Sequence, residues 1–146
     1  MKKIFVMADD DRDNAELCCE ALAGIDRSII CHCVTDGKQV LKRLANKEFQ
    51  RPQIIFLDIN MPGMNGWECL KELKTDEQYR NIPVIMCSTS SHNREANIAI
   101  GMGALGFFAK PRDFLELKEI LKAIASSLNE DPLKAVSHFA AFKSNK

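Results

Sequence analysis

The chain has 146 residues, 46% of them hydrophobic and 27% charged, with 20 Lys and Arg against 20 Asp and Glu. That suits one domain with a buried core and excludes a disordered chain. A formal net charge of zero gives no overall attraction for nucleic acid or anionic lipid, so neither is an expected partner.

No apolar run approaches the roughly 20 residues that span a bilayer. The run over residues 4–8 follows Met1-Lys2-Lys3 but is stopped by Asp9-Asp10-Asp11, which makes it too short for an export signal. Cys18, Cys19, Cys31, Cys33, Cys69 and Cys87 lack zinc-site spacing. A cytoplasmic protein with reduced, structural cysteines is expected.

Residues 3–8 are a near-continuous apolar run, as in a strand buried on both faces. Residues 12–23 place Ala15, Cys18, Ala21 and Leu22 at helical spacing, with Asp11 or Asp13 as N-cap and Gly24 closing the helix. Residues 28–34 read as a second strand. Residues 37–45 read as a short helix with Val40, Leu41 and Leu44 inward, and residues 53–57 as a third strand. A loop with Pro62, Gly63, Asn65 and Gly66 leads into a helix over about 67–74. Residues 83–87 form the fourth strand, 92–101 a weaker helix, and 104–109 a fifth strand ended by Lys110-Pro111.

In residues 113–128, Phe114, Leu117, Leu121, Ile124 and Leu128 share one face of a helix. Strand followed by helix, five times over, predicts an α/β fold: a parallel sheet with helices on both faces. The expected domain is residues 1–129. Residues 130–146 are expected to be an extension without an effector domain, either lightly docked or a partner contact through Leu133, Val136, Phe139 and Phe142. His32 reads as a strand residue, His92 as solvent-exposed, His138 as part of the tail, and Trp67 as a packing or surface residue of the third helix.

Ligands of open parallel sheets bind at the carboxyl ends of the strands. Here those ends carry Asp9-Asp10-Asp11, Asp58, Ser88-Thr89-Ser90 and Lys110. Each alone has an ordinary explanation as a cap, a loop or an exposed lysine. Together they place carboxylates where mutual repulsion calls for a cation. Oxygens of Asp9, Asp10 and Asp58, with a backbone carbonyl and waters, suit octahedral Mg²⁺. A spare carboxylate can attack phosphorus to give an aspartyl phosphate. The metal, the Lys110 ammonium and the Ser88 hydroxyl then match the three equatorial oxygens.

From about residue 3 to residue 128 the chain resembles the receiver domain of two-component response regulators, in the chemotaxis-regulator-like, stand-alone form. The matching motifs are Val6-Met7-Ala8-Asp9-Asp10-Asp11, Leu57-Asp58-Ile59-Asn60-Met61-Pro62-Gly63-Met64-Asn65-Gly66, Pro83-Val84-Ile85-Met86-Cys87-Ser88 and Gly106-Phe107-Phe108-Ala109-Lys110-Pro111. The spacings from Asp58 to Ser88 and to Lys110 also match. The resemblance implies a flavodoxin-like doubly wound sheet of order 2-1-3-4-5. It implies Asp58 as phospho-acceptor, Asp10 as direct Mg²⁺ ligand, Asp9 acting through water, and the Asn60 carbonyl as a further ligand. Ser88 would be the switch hydroxyl, Phe107 the switch aromatic, and Lys110 the partner of a phosphoryl oxygen. The bond from Lys110 to Pro111 is often cis in such domains.

Thr89 stands where a small residue is common. Asn60 and Ser90 flank the phosphoryl site, and Phe107 lacks a tyrosine hydroxyl. The implied donor is a sensor histidine kinase or a histidine phosphotransfer protein. The implied output is a downstream protein bound by the face of the fourth helix, fifth strand and fifth helix. Such a chain is no enzyme beyond catalysing its own phosphorylation and dephosphorylation.

A phosphorylation-independent scaffold of the same fold is the alternative, and the intact set Asp9, Asp10, Asp58, Ser88 and Lys110 speaks against it. A phosphatase would want an acid where Asn60 stands. A flavin carrier would want a phosphate-cradling loop where the three aspartates lie.

Overall fold

A computed structural model describes residues 2–89 and 93–128. The elements follow in strict alternation: β1 (Lys3–Ala8), α1 (Arg12–Ile25), β2 (Ile29–Val34), α2 (Gly37–Ala45), β3 (Ile54–Asp58), α3 (Gly66–Thr75), β4 (Val84–Ser88), α4 (Asn93–Gly101), β5 (Gly106–Ala109) and α5 (Phe114–Leu128). All strand pairs are parallel, in the order β2-β1-β3-β4-β5. This is the flavodoxin-like α/β fold expected from the sequence.

Side chains on a strand alternate between faces, and the core divides accordingly. Val6, Ala8, Ile55, Leu57, Val84, Met86 and Phe107 pack with Val40 of α2, Leu70 of α3 and Ala99 of α4. Phe5, Met7, Ile54, Phe56, Ile85, Cys87 and Phe108 pack with Leu22 of α1 and Leu121 of α5. Each Leu, Ile or Phe taken out of water contributes roughly 1.5–3 kcal/mol, so one residue of register slip would forfeit both layers.

Asp11, rather than Asp13, caps α1, its side chain accepting from the Asn14 N–H at 3.1 Å. The helix runs through Gly24 and stops at Asp26, whose extended backbone cannot continue it. Phe114 departs from its expected inward place and is exposed, because the buried row of α5 starts one turn later with Leu117, Ile120, Leu121 and Ile124. Trp67 packs half-buried against the α2–α4 layer.

The cysteines depart from the expectation of six reduced thiols. α1 lies against β2 and brings the Cα atoms of Cys19 and Cys31 to 5.2 Å, where the two side chains form a disulfide. Cys18, Cys33, Cys69 and Cys87 remain thiols. The Lys110–Pro111 peptide is trans, and no cis bond occurs among the described residues. The expectations for Ser90, His92 and residues 129–146 lie outside the described residues. No helix among the described residues is long and apolar enough to cross a membrane.

Candidate functional site

The alternation that splits the core also sorts the polar residues at the strand ends. Asp9 continues the row of Phe5 and Met7, Asp58 that of Ile54 and Phe56, and Lys110 follows Phe108, all on the α1–α5 side of the sheet. Ser88 continues the row of Val84 and Met86, on the side that also holds Phe107. Met86 pairs with Phe107 and Ser88 with Ala109, so Ser88 and Phe107 are diagonal neighbours across β4 and β5.

The first group converges on one ammonium. Lys110 Nζ lies 2.6 Å from Asp9 Oδ2 and 3.0 Å from Asp58 Oδ2. Its backbone N–H donates to the Ser88 carbonyl at 2.7 Å, which fixes the start of the loop after β5. Asp9 is nearly saturated with donors. Its Oδ1 accepts from the Asp11 N–H at 2.9 Å, and its Oδ2 accepts from Asn14 Nδ2 at 2.9 Å as well as from Lys110. Asp58 Oδ1 accepts from the Asn60 N–H at 3.1 Å.

The loop carrying Asp58 is held from below by α3. Asn65 and Glu68 form a reciprocal capping box at its start. The Gly66 N–H donates to the Ile59 carbonyl at 3.0 Å. A Cβ at Gly66 would stand 2.3 Å from the Asp58 carbonyl oxygen, so only glycine permits this approach.

Two buried carboxylates share one half-buried ammonium, and their titrations diverge. Burial pushes Asp58 up to about 6, with Lys110 opposing and the Asp9 charge adding to it. Burial also acts to raise Asp9, but the bonds and charge of Lys110, with Asn14 and the Asp11 amide, outweigh it and hold Asp9 below the usual carboxylate value. Partial burial acts to lower Lys110, but the neighbouring Cys87, the bond to Asp9 and the charges of both acids hold it well above the ordinary lysine value.

Asp10 joins them from the exposed side. Carboxylate oxygens of Asp9, Asp10 and Asp58 lie within 4.8 Å of one another, a donor set that fits a hard divalent cation. These acids open into a cleft of about 550 Å³, lined also by Asp11, Asn14, Thr89, Lys110, Pro111, Arg112 and Leu117.

The structure therefore brings together Asp9, Asp10, Asp58, Asn60, Thr89, Lys110 and Pro111. It buries Ser88 at the end of β4, outside the cleft lining, and Phe107 in the α2–α4 layer. Sequence reasoning missed Asn14 and Arg112. Asn14 had a readable signal: three residues past the helix cap, it sits one turn into α1, where a side chain can reach back to the strand end.

The family model described as response regulator receiver domain matches residues 5–122. The chain belongs to the response regulator receiver domain family, a signalling module of two-component systems. It is 34% identical over 92 residues to the chemotaxis protein CheV2 of Helicobacter pylori, which covers 62% of this chain and 29% of that protein. It is 32% identical over 127 residues to the DNA-binding transcriptional regulator NtrC of Escherichia coli K12, covering 87% of this chain and 26% of that one. The chain thus spans under a third of the length of either relative. Among solved structures, the phosphorylated cyanobacterial phytochrome response regulator RcpA superposes with a TM-score of 0.82 at 26% identity, covering 89% of this chain and 96% of that one.

Proposed function

We propose that this receiver domain accepts a phosphoryl group on Asp58 from a histidine kinase or histidine phosphotransfer protein and signals through a change in its protein-binding face. The observation that carries the reading is the placement of a buried Asp58 carboxylate, raised to about 6, at the mouth of a cleft between Lys110 and two further acids. The phosphorylated state of RcpA supports it by likeness.

In the transfer, an oxygen of Asp58 attacks phosphorus in line with the leaving group, and the donor nitrogen departs with the old bond's electrons. Lys110 pairs with a phosphoryl oxygen as a compact cation. The Asn60 N–H holds the acceptor carboxylate in orientation. Mg²⁺, when bound, supplies the charge neutralisation that three acids and a phosphoryl group need at close range. Asp10 and Asp58, with the Asn60 carbonyl, are the residues to hold it directly. Asp9, its oxygens already engaged by Asp11, Asn14 and Lys110, would help to hold it through water.

The new oxygens draw the Ser88 hydroxyl, and Phe107 follows on the same side of the sheet. That displacement biases the α4–β5–α5 face, where Ile98, Ile100, Phe114 and Leu115 are exposed apolar residues. The added charge of roughly −1.5 to −2 is the driving perturbation.

Incubation with acetyl phosphate and Mg²⁺, read by intact mass, tests this. One base-labile phosphoryl adduct is expected, absent without Mg²⁺ and absent in Asp58→Asn. An Asp58→Asn protein that gains the same adduct at the wild-type rate overturns the reading.

A further inference from the structure

Three cysteine sulfurs meet between α1 and the edge strand β2, and the acidic site uses none of them. Cys31 and Cys33 stand two apart on β2 and pack beside Cys19 of α1 at the rim of the α1–α5 layer. His32, between them, turns to the other face and stacks on Phe49 at 5.1 Å between ring centroids. Cys19 is bonded to Cys31, and Cys33 Sγ lies 3.1 Å from Cys19 Sγ.

A bonded pair alone would be a fixed staple. A third sulfur in contact with one of the bonded atoms is the arrangement that thiol–disulfide exchange requires. All three are half-buried rather than sealed in the core. Cys18, Cys69 and Cys87 are buried away from this contact, and burial pushes the Cys18 and Cys69 thiols up to about 12. Burial and the Glu16 charge raise the Cys33 thiol as well, so it is the sulfur contact with Cys19, and not an activated thiolate, that singles Cys33 out.

We propose that Cys19, Cys31 and Cys33 form a reversible dithiol–disulfide exchange site for low-molecular-weight thiols and disulfides, with Cys19 as the shared partner. Within the protein, Cys33 gives its proton to solvent and its thiolate attacks Cys19 Sγ. A Cys33–Cys19 bond forms as the Cys19–Cys31 bond breaks, and Cys31 leaves as a thiolate that takes up a proton, with no net oxidation.

Oxidation of the reduced site uses a small disulfide, RSSR. One protein thiolate attacks it and releases RS⁻, leaving a mixed disulfide. A second protein thiolate then attacks the protein sulfur of that mixed disulfide and releases the other RS⁻. Two protein thiols are oxidised, and RSSR is reduced to two RSH. Excess small thiol reverses both steps.

The full chain, reduced with dithiothreitol, freed of it and exposed to oxidised glutathione, is acid-quenched, alkylated and mapped by tandem mass spectrometry. Cys19 is expected in disulfides with both Cys31 and Cys33, and dithiothreitol removes both. Cys33→Ser retains only the Cys19–Cys31 bond, Cys31→Ser only the Cys19–Cys33 bond, and Cys19→Ser loses both. Alkylation of all six cysteines after oxidation overturns the proposal. So does a Cys31→Ser protein in which Cys19 and Cys33 both stay unpaired, since that would make the observed bond a fixed staple.

Discussion

Replacing Asp58 with asparagine should stabilise the metal-free protein, although it removes the residue on which the chemistry depends. In the fold Asp58 titrates at about 6, against an ordinary value of 3.8. Its folded value is raised, so folding favours the protonated acid. The penalty for ionisation is absent below the unfolded value, grows as pH rises from about 4 to 6, and is complete above that window. A difference of about two units at ~1.4 kcal/mol each gives about 3 kcal/mol at pH 8.

Asparagine keeps the shape and carries no charge, and Lys110 keeps Asp9 as its counter-ion at 2.6 Å. Its single amide oxygen can accept from Lys110 or from the Asn60 N–H but not from both, which offsets about 1 kcal/mol of the gain. Asp58→Asn should therefore exceed the wild type by about 2 kcal/mol at pH 8, by less than about 1 kcal/mol at pH 5, and fall slightly below it under pH 4. Urea unfolding followed by circular dichroism, in the presence of a chelator, measures the difference. Equal stability at pH 8, or a gap that does not narrow between pH 8 and pH 5, would show that the buried acid carries no electrostatic penalty.

Lys110→Ala leaves Asp9 and Asp58 buried without their cation and should cost about 3–5 kcal/mol at pH 8 without metal, in the same unfolding assay. Asn14→Ala removes a donor to the buried Asp9 and should cost about 2 kcal/mol. Because Asp9 is held below its ordinary value, that stabilisation is present at neutral pH and is lost only as pH falls through the lowered titration, which an acid-unfolding series checks. Gly66→Ala forces a Cβ against the Asp58 carbonyl oxygen at 2.3 Å. Backbone must shift, at a cost of about 1–3 kcal/mol, and the reaction with acetyl phosphate should slow while Mg²⁺ still binds.

Much of the fold was legible because its strands are buried on both faces and read as unbroken apolar runs, as residues 4–8 and 54–57 do. The acids stood out for a related reason, since each interrupts such a run at its carboxyl end. What the sequence did not yield depends on contacts between distant elements. The Cys19–Cys31 bond arises from the packing of α1 on β2, which spacing alone does not reveal. Phe114 fits the apolar stripe of α5 but precedes the turn where the helix meets the sheet. The raised titration of Asp58 follows from burial shared with Asp9 and Lys110, residues brought together by strand order rather than by nearness in the chain.

The most direct test is chemical trapping of the phosphorylated residue. An acyl phosphate on an aspartate is reduced by borohydride to the alcohol, leaving homoserine in the chain. After treatment with acetyl phosphate and Mg²⁺ followed by borohydride, peptide mapping should find homoserine at position 58. Homoserine at another aspartate, or at none, would contradict the assignment of Asp58 as the acceptor.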